Sequence, residues 1–321
     1  MASYILRRLI QAIPIIIGIS VLSFAIVYLT PGSPVDKFRT PRVSQETIQN
    51  LIRLYGLDQP LPVQFWKWFS AFWTFPWNNT AWGYSFTDGL PVRDKLFSRV
   101  PATLLLMGTS LIVTIVLALP IGILQAVKQY SWADKIATTL ETIGYAMPTF
   151  WLGLILKQLF AVQFKLLPLY GMQTLGGKPG DIGDILVHLV LPVTTLSIIS
   201  VAGWSRYMRA SMLEVMRQDF IRTARSKGLD GGQVIRKHAL RNALIPIVTL
   251  LGLTVPSLLS GAAITETVFS WPGLGWLGVT SVTERDYPVV LAVVMIGGAM
   301  VILGNLIADI AYAVVDPRIH Y

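Results

Sequence analysis

The sequence predicts an all-α integral membrane protein with six transmembrane helices and a large external loop between the first two. Three observations predict it. Of 321 residues, 53% are hydrophobic and 13% charged, about half the charged share of an ordinary soluble chain. Six apolar runs approach or exceed the ~20 residues a helix needs to cross the ~30 Å hydrocarbon core. Lys and Arg collect beside those runs, most densely between the fourth and fifth.

The runs cover 9–29, 101–127, 136–164, 185–204, 244–269 and 288–315. Pro14, Pro120, Pro148, Pro192 and Pro256 lie inside them; such prolines argue against soluble helices but are tolerated in a membrane, where neighbouring groups satisfy the freed backbone. The excess of 26 basic over 17 acidic residues, a net +9, bears on topology and partner docking rather than on nucleic acid. The absence of cysteine excludes disulfides, thiolate metal sites and a cysteine nucleophile.

Orientation follows from the cations. Residues 205–243 hold Arg206, Arg209, Arg217, Arg222, Arg225, Lys227, Arg236, Lys237 and Arg241, nine cations against Glu214, Asp219 and Asp230, and basic loops stay cytoplasmic. Six spans then place both termini in the cytoplasm. Arg7 and Arg8 before the first span, and Lys128 and Lys135 between the second and third, agree. Arg7-Arg8 and the apolar run imitate a signal peptide, but the run exceeds the usual 7–15 residues and Thr30-Pro31-Gly32 lacks an Ala-x-Ala cleavage pattern.

The external segment, 30–100, opens with a short amphipathic helix over 45–55, capped by Ser44 and stopped by Gly56. Phe65, Trp66, Trp68, Phe69, Phe72, Trp73, Phe75, Trp77 and Trp82 follow. Such density fits either anchoring at the headgroup boundary or a platform for an external partner. Asn78-Asn79-Thr80 matches a glycosylation acceptor by so short a pattern that it carries no weight. The chain thus divides into residues 1–94, the first span plus external loop, and a five-helix core at 95–321.

Within the basic loop, Met208, Met212, Met216, Phe220 and Ala224 recur every fourth residue, placing them on one face of a helix while Arg209, Arg217 and Arg225 point elsewhere. The helix should stop near Gly228, and a second begin at Asp230 with Gln233 completing a capping box. Two short helices joined at a glycine form a knob able to seat in a groove on another protein.

At these residues the chain resembles a known family. Arg222-Thr223-Ala224-Arg225-Ser226-Lys227-Gly228, with Arg236-Lys237-His238-Ala239-Leu240-Arg241-Asn242-Ala243-Leu244-Ile245-Pro246, is similar to the coupling loop of ABC importer permeases of the dipeptide/oligopeptide type. The general loop begins Glu-Ala-Ala and ends Ile-x-Leu-Pro. Arg222, Thr223, His238 and Arg241 depart from it as the peptide-type variant does. Tyr4-Ile5-Leu6-Arg7-Arg8, Gly56-Leu57-Asp58-Gln59-Pro60-Leu61, Arg99-Val100-Pro101-Ala102-Thr103-Leu104, Pro148-Thr149-Phe150-Trp151-Leu152-Gly153, Glu266-Thr267-Val268-Phe269-Ser270-Trp271-Pro272-Gly273 and Asp316-Pro317-Arg318 carry the resemblance over nearly the whole chain.

The resemblance implies a type I ABC importer permease in a bacterial or archaeal cytoplasmic (inner) membrane. It would pair with a paralogous second permease, with two cytoplasmic ABC ATPases and an extracytoplasmic substrate-binding protein. ATP and Mg would sit on the ATPases, with no cofactor on this chain; the sequence has no G-x-x-x-x-G-K-[S/T] phosphate loop. Coupling to the ATPases falls on Met212, Met216, Phe220, Arg222, Thr223, Ala224, Arg225, Lys227, Gly228, His238, Arg241 and Asn242. The expected cargo is di- or oligopeptides. Nickel complexes, glutathione and oligosaccharides are carried by similar permeases.

Ionisable and polar groups within spans are costly, hence functional candidates. Lys157 can snorkel outward or line the pathway. Glu266 lies near the external end of span five as a possible gate. Asn305 and Asp309 share one face of span six, and Glu141 lies near the cytoplasmic end of span three. An ion-coupled secondary transporter would need midplane carboxylates and a channel a selectivity element; neither is evident. His188, His238 and His320 are isolated and form no hydrolase or metalloenzyme motif, so no catalytic or metal site is expected.

Overall fold

The computed structural model describes residues 2–29, 32, 33, 35, 36, 43–73, 82–260 and 262–315. Thr30, Pro31, Phe75, Trp77, Asn78-Asn79-Thr80 and Asp316-Pro317-Arg318 lie outside them, as do the side chains of Pro256 and Asp309.

The first span is α1 (Ala2–Leu29). The external segment follows as α2 (Gln45–Leu54), α3 (Leu61–Trp73) and α4 (Val92–Phe97). The Ser44 side chain accepts from the Thr47 amide at the start of α2, and Gly56, at φ 66, lies in the turn that follows it. Part of the aromatic run packs inward. Phe65 meets Phe24 of α1 edge-on at 5.3 Å and Phe72 stacks on Trp82 at 5.0 Å, while Trp66 stays 65% exposed.

The second span, α5 (Val100–Val127), and the fourth, α8 (Ile182–Met216), form the central pair. On α5 the buried positions include Ala102, Leu106, Ser110, Thr114, Ala118, Gly122 and Ala126, one every fourth residue. Lipid is as apolar as leucine, so membrane helices associate by close packing of small residues rather than by hydrophobic burial. Gly122 marks the closest approach: a Cβ there would sit 2.5 Å from the Ser205 carbonyl and 2.7 Å from Met208 Cβ. Ser197 Oγ also donates across the pair to the Ser110 carbonyl at 3.2 Å.

The third span is not one helix. α6 (Trp132–Ala146) and α7 (Thr149–Leu156), which continues as a π-helix over Lys157–Gln163, meet at 105°. Pro148 disfavours helical geometry in the residue before it, and Met147 is extended, at φ −80 and ψ 129. The tolerance expected of the prolines holds for Pro14, Pro120 and Pro192, which lie inside continuous helices. It fails at Pro148.

The basic loop forms α9 (Asp219–Ser226), α10 (Gly231–Gln233), a π-helix over Val234–Ala239 and α11 (Leu240–Ala243). In the fifth span, α12 (Ile245–Ser260) spans ~24 Å at 1.5 Å per residue, short of the ~30 Å core; α13 (Ala263–Val268) follows it. α14 (Leu274–Thr283) then leads to α15 (Tyr287–Val315), the sixth span, which packs on α12 and α1. Among the described residues the only β pairing is an isolated bridge between Tyr84 and Pro91.

Candidate functional site

The knob is built onto the base of α8. Met208 and Met212 are fully buried, in one cluster with Ala126, Ile221, Ala224, Val234, Ala239, Ala243 and Ile247. This corrects the expected face. α8 ends at Met216, Gln218 is extended at φ −72 and ψ 151, and α9 starts afresh at Asp219. The break shifts the register: Ile221 takes the inward position and Phe220 turns out, 43% exposed. Met212 and Ala224 therefore fasten the knob to its own chain, with Met216 packed partly buried against the same cluster.

What the knob presents outward is polar and basic. Arg217, Arg222, Thr223, Arg225, Lys227, Arg236, Lys237, Arg241 and Asn242 are exposed, and His238 is half-buried. Among the described residues Arg222 pairs with Asp219, at 3.8 Å between two exposed side chains, a pair worth little. Gly228 closes α9 at φ 75, with its amide on the Arg225 carbonyl at 2.9 Å. Glycine alone takes that conformation without cost. Asp230 caps the next turn, accepting from the Gly232 amide at 2.9 Å, and Asn242 Nδ2 donates to the His238 carbonyl at 2.8 Å.

Three polar ties carry the base of the knob into the membrane helices. Ser211 Oγ donates to the Ala243 carbonyl at 2.9 Å, holding the loop's end to α8. Arg209 pairs with the buried Asp134 at 2.8 Å, and Asp134 also accepts from the Tyr130 amide. Ser205 Oγ donates to the buried Glu141 at 2.7 Å. Asp134 and Glu141 both stand on α6, so α8 and α6 are tied at two levels leading to the Pro148 bend. Arg206 adds a bond to Thr142 at 3.1 Å and lies over the Tyr145 ring.

The candidates within the spans whose side chains are described, all but Asp309, have defined places. Lys157 Nζ donates to the Val268 carbonyl at 2.8 Å, at the C-terminus of α13, where a cation meets the negative end of the helix dipole. Glu266 is fully buried, accepting from Thr103 Oγ1 at 3.0 Å and the Trp276 amide at 2.9 Å. Thr103 in turn accepts from the Leu274 amide, and Trp271 Nε1 donates to the Ala102 carbonyl, both at 2.8 Å. Glu266 thus pins the 271–276 turn to the head of α5. Asn305 is exposed beside Arg8 and Gln11 of α1. His188 is buried near the start of α8, with Nδ1 on the Asp184 carbonyl at 2.8 Å.

A polar cluster outside the membrane escaped the sequence reading. Asp286, fully buried before α15, accepts from Ser85 Oγ at 2.5 Å and the Phe86 amide at 3.0 Å. Lys95 bridges Ser85 and Asp88, at 3.1 and 2.8 Å. Burial acts to raise the Asp88 carboxyl, but bonds from Lys95, the Leu90 amide and Ser85 outweigh it and hold the group below its ordinary range. No local pattern links Ser85 to a residue 201 positions away.

Residues 118–321 match the family described as binding-protein-dependent transport system inner membrane component, and residues 1–107 match its N-terminal companion. The chain is 43% identical to the oligopeptide transport system permease protein AppB of Bacillus subtilis over 325 residues, covering all of both chains. It is 40% identical to the dipeptide transport system permease protein DppB of Escherichia coli, covering 100% of this chain and 99% of that one. It is 38% identical to the glutathione transport system permease protein GsiC of Salmonella paratyphi A, again over all of both. Among solved structures, an inward-facing form of the MetNI methionine ABC transporter matches 72% of this chain and 99% of its own, with a TM-score of 0.53 and 19% identity; it supports the fold.

Proposed function

The chain belongs to the family of binding-protein-dependent transport system inner membrane components, and from that membership we propose how it works. It is a multi-pass inner-membrane permease subunit of an ABC importer, whose ATPase resides on a separate subunit, and it acts within a complex. We infer that the complex contains a second, paralogous permease, two ATPases and an external binding protein, with this chain's termini and basic loop in the cytoplasm. We infer also that its cargo is di- or oligopeptides, as the names of its AppB and DppB relatives say of theirs.

The observation that carries the coupling proposal is the division of the knob into a face buried in its own chain and an exposed basic face. Phe220, Arg222, Thr223, Arg225, Lys227 and Gly228 would meet an ATPase, with His238, Arg241 and Asn242 on the return limb. Met212, Met216 and Ala224 would transmit the load into α8. Because α8 is tied to α6 through Asp134 and Glu141, movement of the knob would reach the bend at Pro148 and rock the core of residues 95–321 between inward-open and outward-open forms. Lys157 and Glu266 would act on the external side by holding α13 and the 271–276 turn. Asn305 and Asp309 would serve packing of span six.

Isolation of the tagged chain from its native membrane in mild detergent, followed by native mass spectrometry, tests this composition. One related permease, two ATPases and a bound peptide are expected. A chain recovered alone, or as a homo-oligomer without ATPase, would overturn the proposal.

A further inference from the structure

We propose that the groove between α1 and α15 is a phospholipid site, with an acyl chain in the groove and the phosphate on Arg285. The groove encloses about 430 Å³, lined by Ile19, Leu22, Ile26, Val282, Val290 and Val294 among others, with Arg285 at its rim. Leu22 and Ile26 are 64% and 68% exposed within this chain, and the flanking helices are apolar and long enough to span. The groove therefore opens at hydrocarbon depth.

The lining is mostly apolar, with Ser23, Tyr287 and Arg285 as its polar members. Ser23 donates to the Ser20 carbonyl at 3.2 Å and the Tyr287 hydroxyl to the Gly32 carbonyl at 3.2 Å, so the chain itself uses both. Size separates a lipid from a protein partner. A helix is ~10 Å across, broader than a hydrocarbon chain, so a groove of this size suits the narrower occupant better.

The rim supplies the headgroup contact. Arg285 follows α14 in a left-handed conformation, φ 56, and its guanidinium lies against Gly32, where any Cβ would collide with it. Its ion-pair partner among the described residues is Asp36, at 3.5 Å from one terminal nitrogen and similarly exposed; a guanidinium carries five N–H donors, so the pair leaves others for a second acceptor. A planar guanidinium fixed at the membrane boundary presents paired donors to a phosphate. In the proposed orientation the lipid belongs to the external leaflet, and it would add to the contacts that already join α1 to α15, among them the Tyr28 and Tyr287 rings at 5.4 Å.

The test uses the whole importer in nanodiscs of phosphatidylglycerol and phosphatidylethanolamine containing a trace of phosphatidylglycerol with a diazirine on its acyl tail. After irradiation, mass spectrometry maps the label. Label concentrated on residues 19–27 and 290–294, lost in Val294→Trp and reduced several-fold in Arg285→Gln, supports the site. Label spread evenly over exposed α1 positions such as Ile10 and Ile13, or unchanged in Arg285→Gln, overturns it. The chain has no cysteine, so Leu22→Cys offers an independent reading: efficient disulfide trapping to a cysteine series in the second permease would show protein there and overturn the proposal, while its failure with the lipid label present supports it.

Discussion

Lys157 on the third span closes the C-terminus of α13 in the fifth, donating to the Val268 carbonyl at 2.8 Å. The amine thus has a hydrogen-bond partner inside the chain. Lys157→Met should uncap α13 at a cost of about 0.3–1 kcal/mol, and up to ~2 in a half-buried setting, read as a lower thermal midpoint of the purified complex. Lys157→Gln, which keeps a donor, should recover part of the loss. Equal midpoints for all three proteins would remove the capping role.

Asp134 and Arg209 form the buried tie between α6 and the root of the knob. Removing one partner of a buried pair costs about 3–5 kcal/mol, and Arg209→Leu should fall toward the lower end because its side chain is 26% exposed. In a double-mutant cycle with Asp134→Asn the two losses should be sub-additive. Simple additivity in thermal stability would show that the pair is not coupled.

Gly122 sets the distance between α5 and α8. Gly122→Val must drive methyl groups into the Ser205 backbone, with an overpacking cost of about 1–3 kcal/mol or more. Reduced yield and a lower thermal midpoint are expected, whereas Gly108→Val, at a glycine with open space around it, should cost much less.

The Asp88–Lys95–Ser85 cluster should make the loop between α3 and α5 sensitive to acid. Asp88 is held below its ordinary range in the folded protein, so its contribution is present above the unfolded value of ~3.9 and is lost as pH falls through the lower, folded value. Proteolysis of residues 83–91 should accelerate as pH falls through that window, and Asp88→Asn should flatten the dependence. A profile unchanged by Asp88→Asn would assign the acid sensitivity elsewhere.

Hydropathy located the first, second, fourth and sixth spans as single long apolar helices and the third as a bent pair, because the membrane enforces a length and polarity that a single sequence displays; the fifth run forms the shorter α12. Local chemistry was equally plain at Ser44, Gly228 and Asp230, whose capping roles depend on residues within a few positions. Pro148 could not be separated from Pro120 and Pro192 by sequence, since whether a proline bends a membrane helix depends on which neighbours satisfy its freed carbonyl. Phe220 and Ile221 exchanged places because two non-helical residues at 217 and 218 reset a face that looked continuous. The partners of Lys157 and Glu266 lie 111 and 163 residues away, beyond any local pattern.

Gly228 gives the central claim its most direct test, because its φ of 75 is demanding while the space around it is open. With the importer in proteoliposomes and its binding protein and peptide supplied, ATP hydrolysis and peptide uptake are measured together for the native chain, Gly228→Val and Gly228→Asn. A β-branched residue is strongly strained at positive φ and asparagine much less so. Continued hydrolysis with uptake lost in Gly228→Val and retained in Gly228→Asn is the predicted result; native ratios of uptake to hydrolysis in Gly228→Val would contradict the knob's role as the lever.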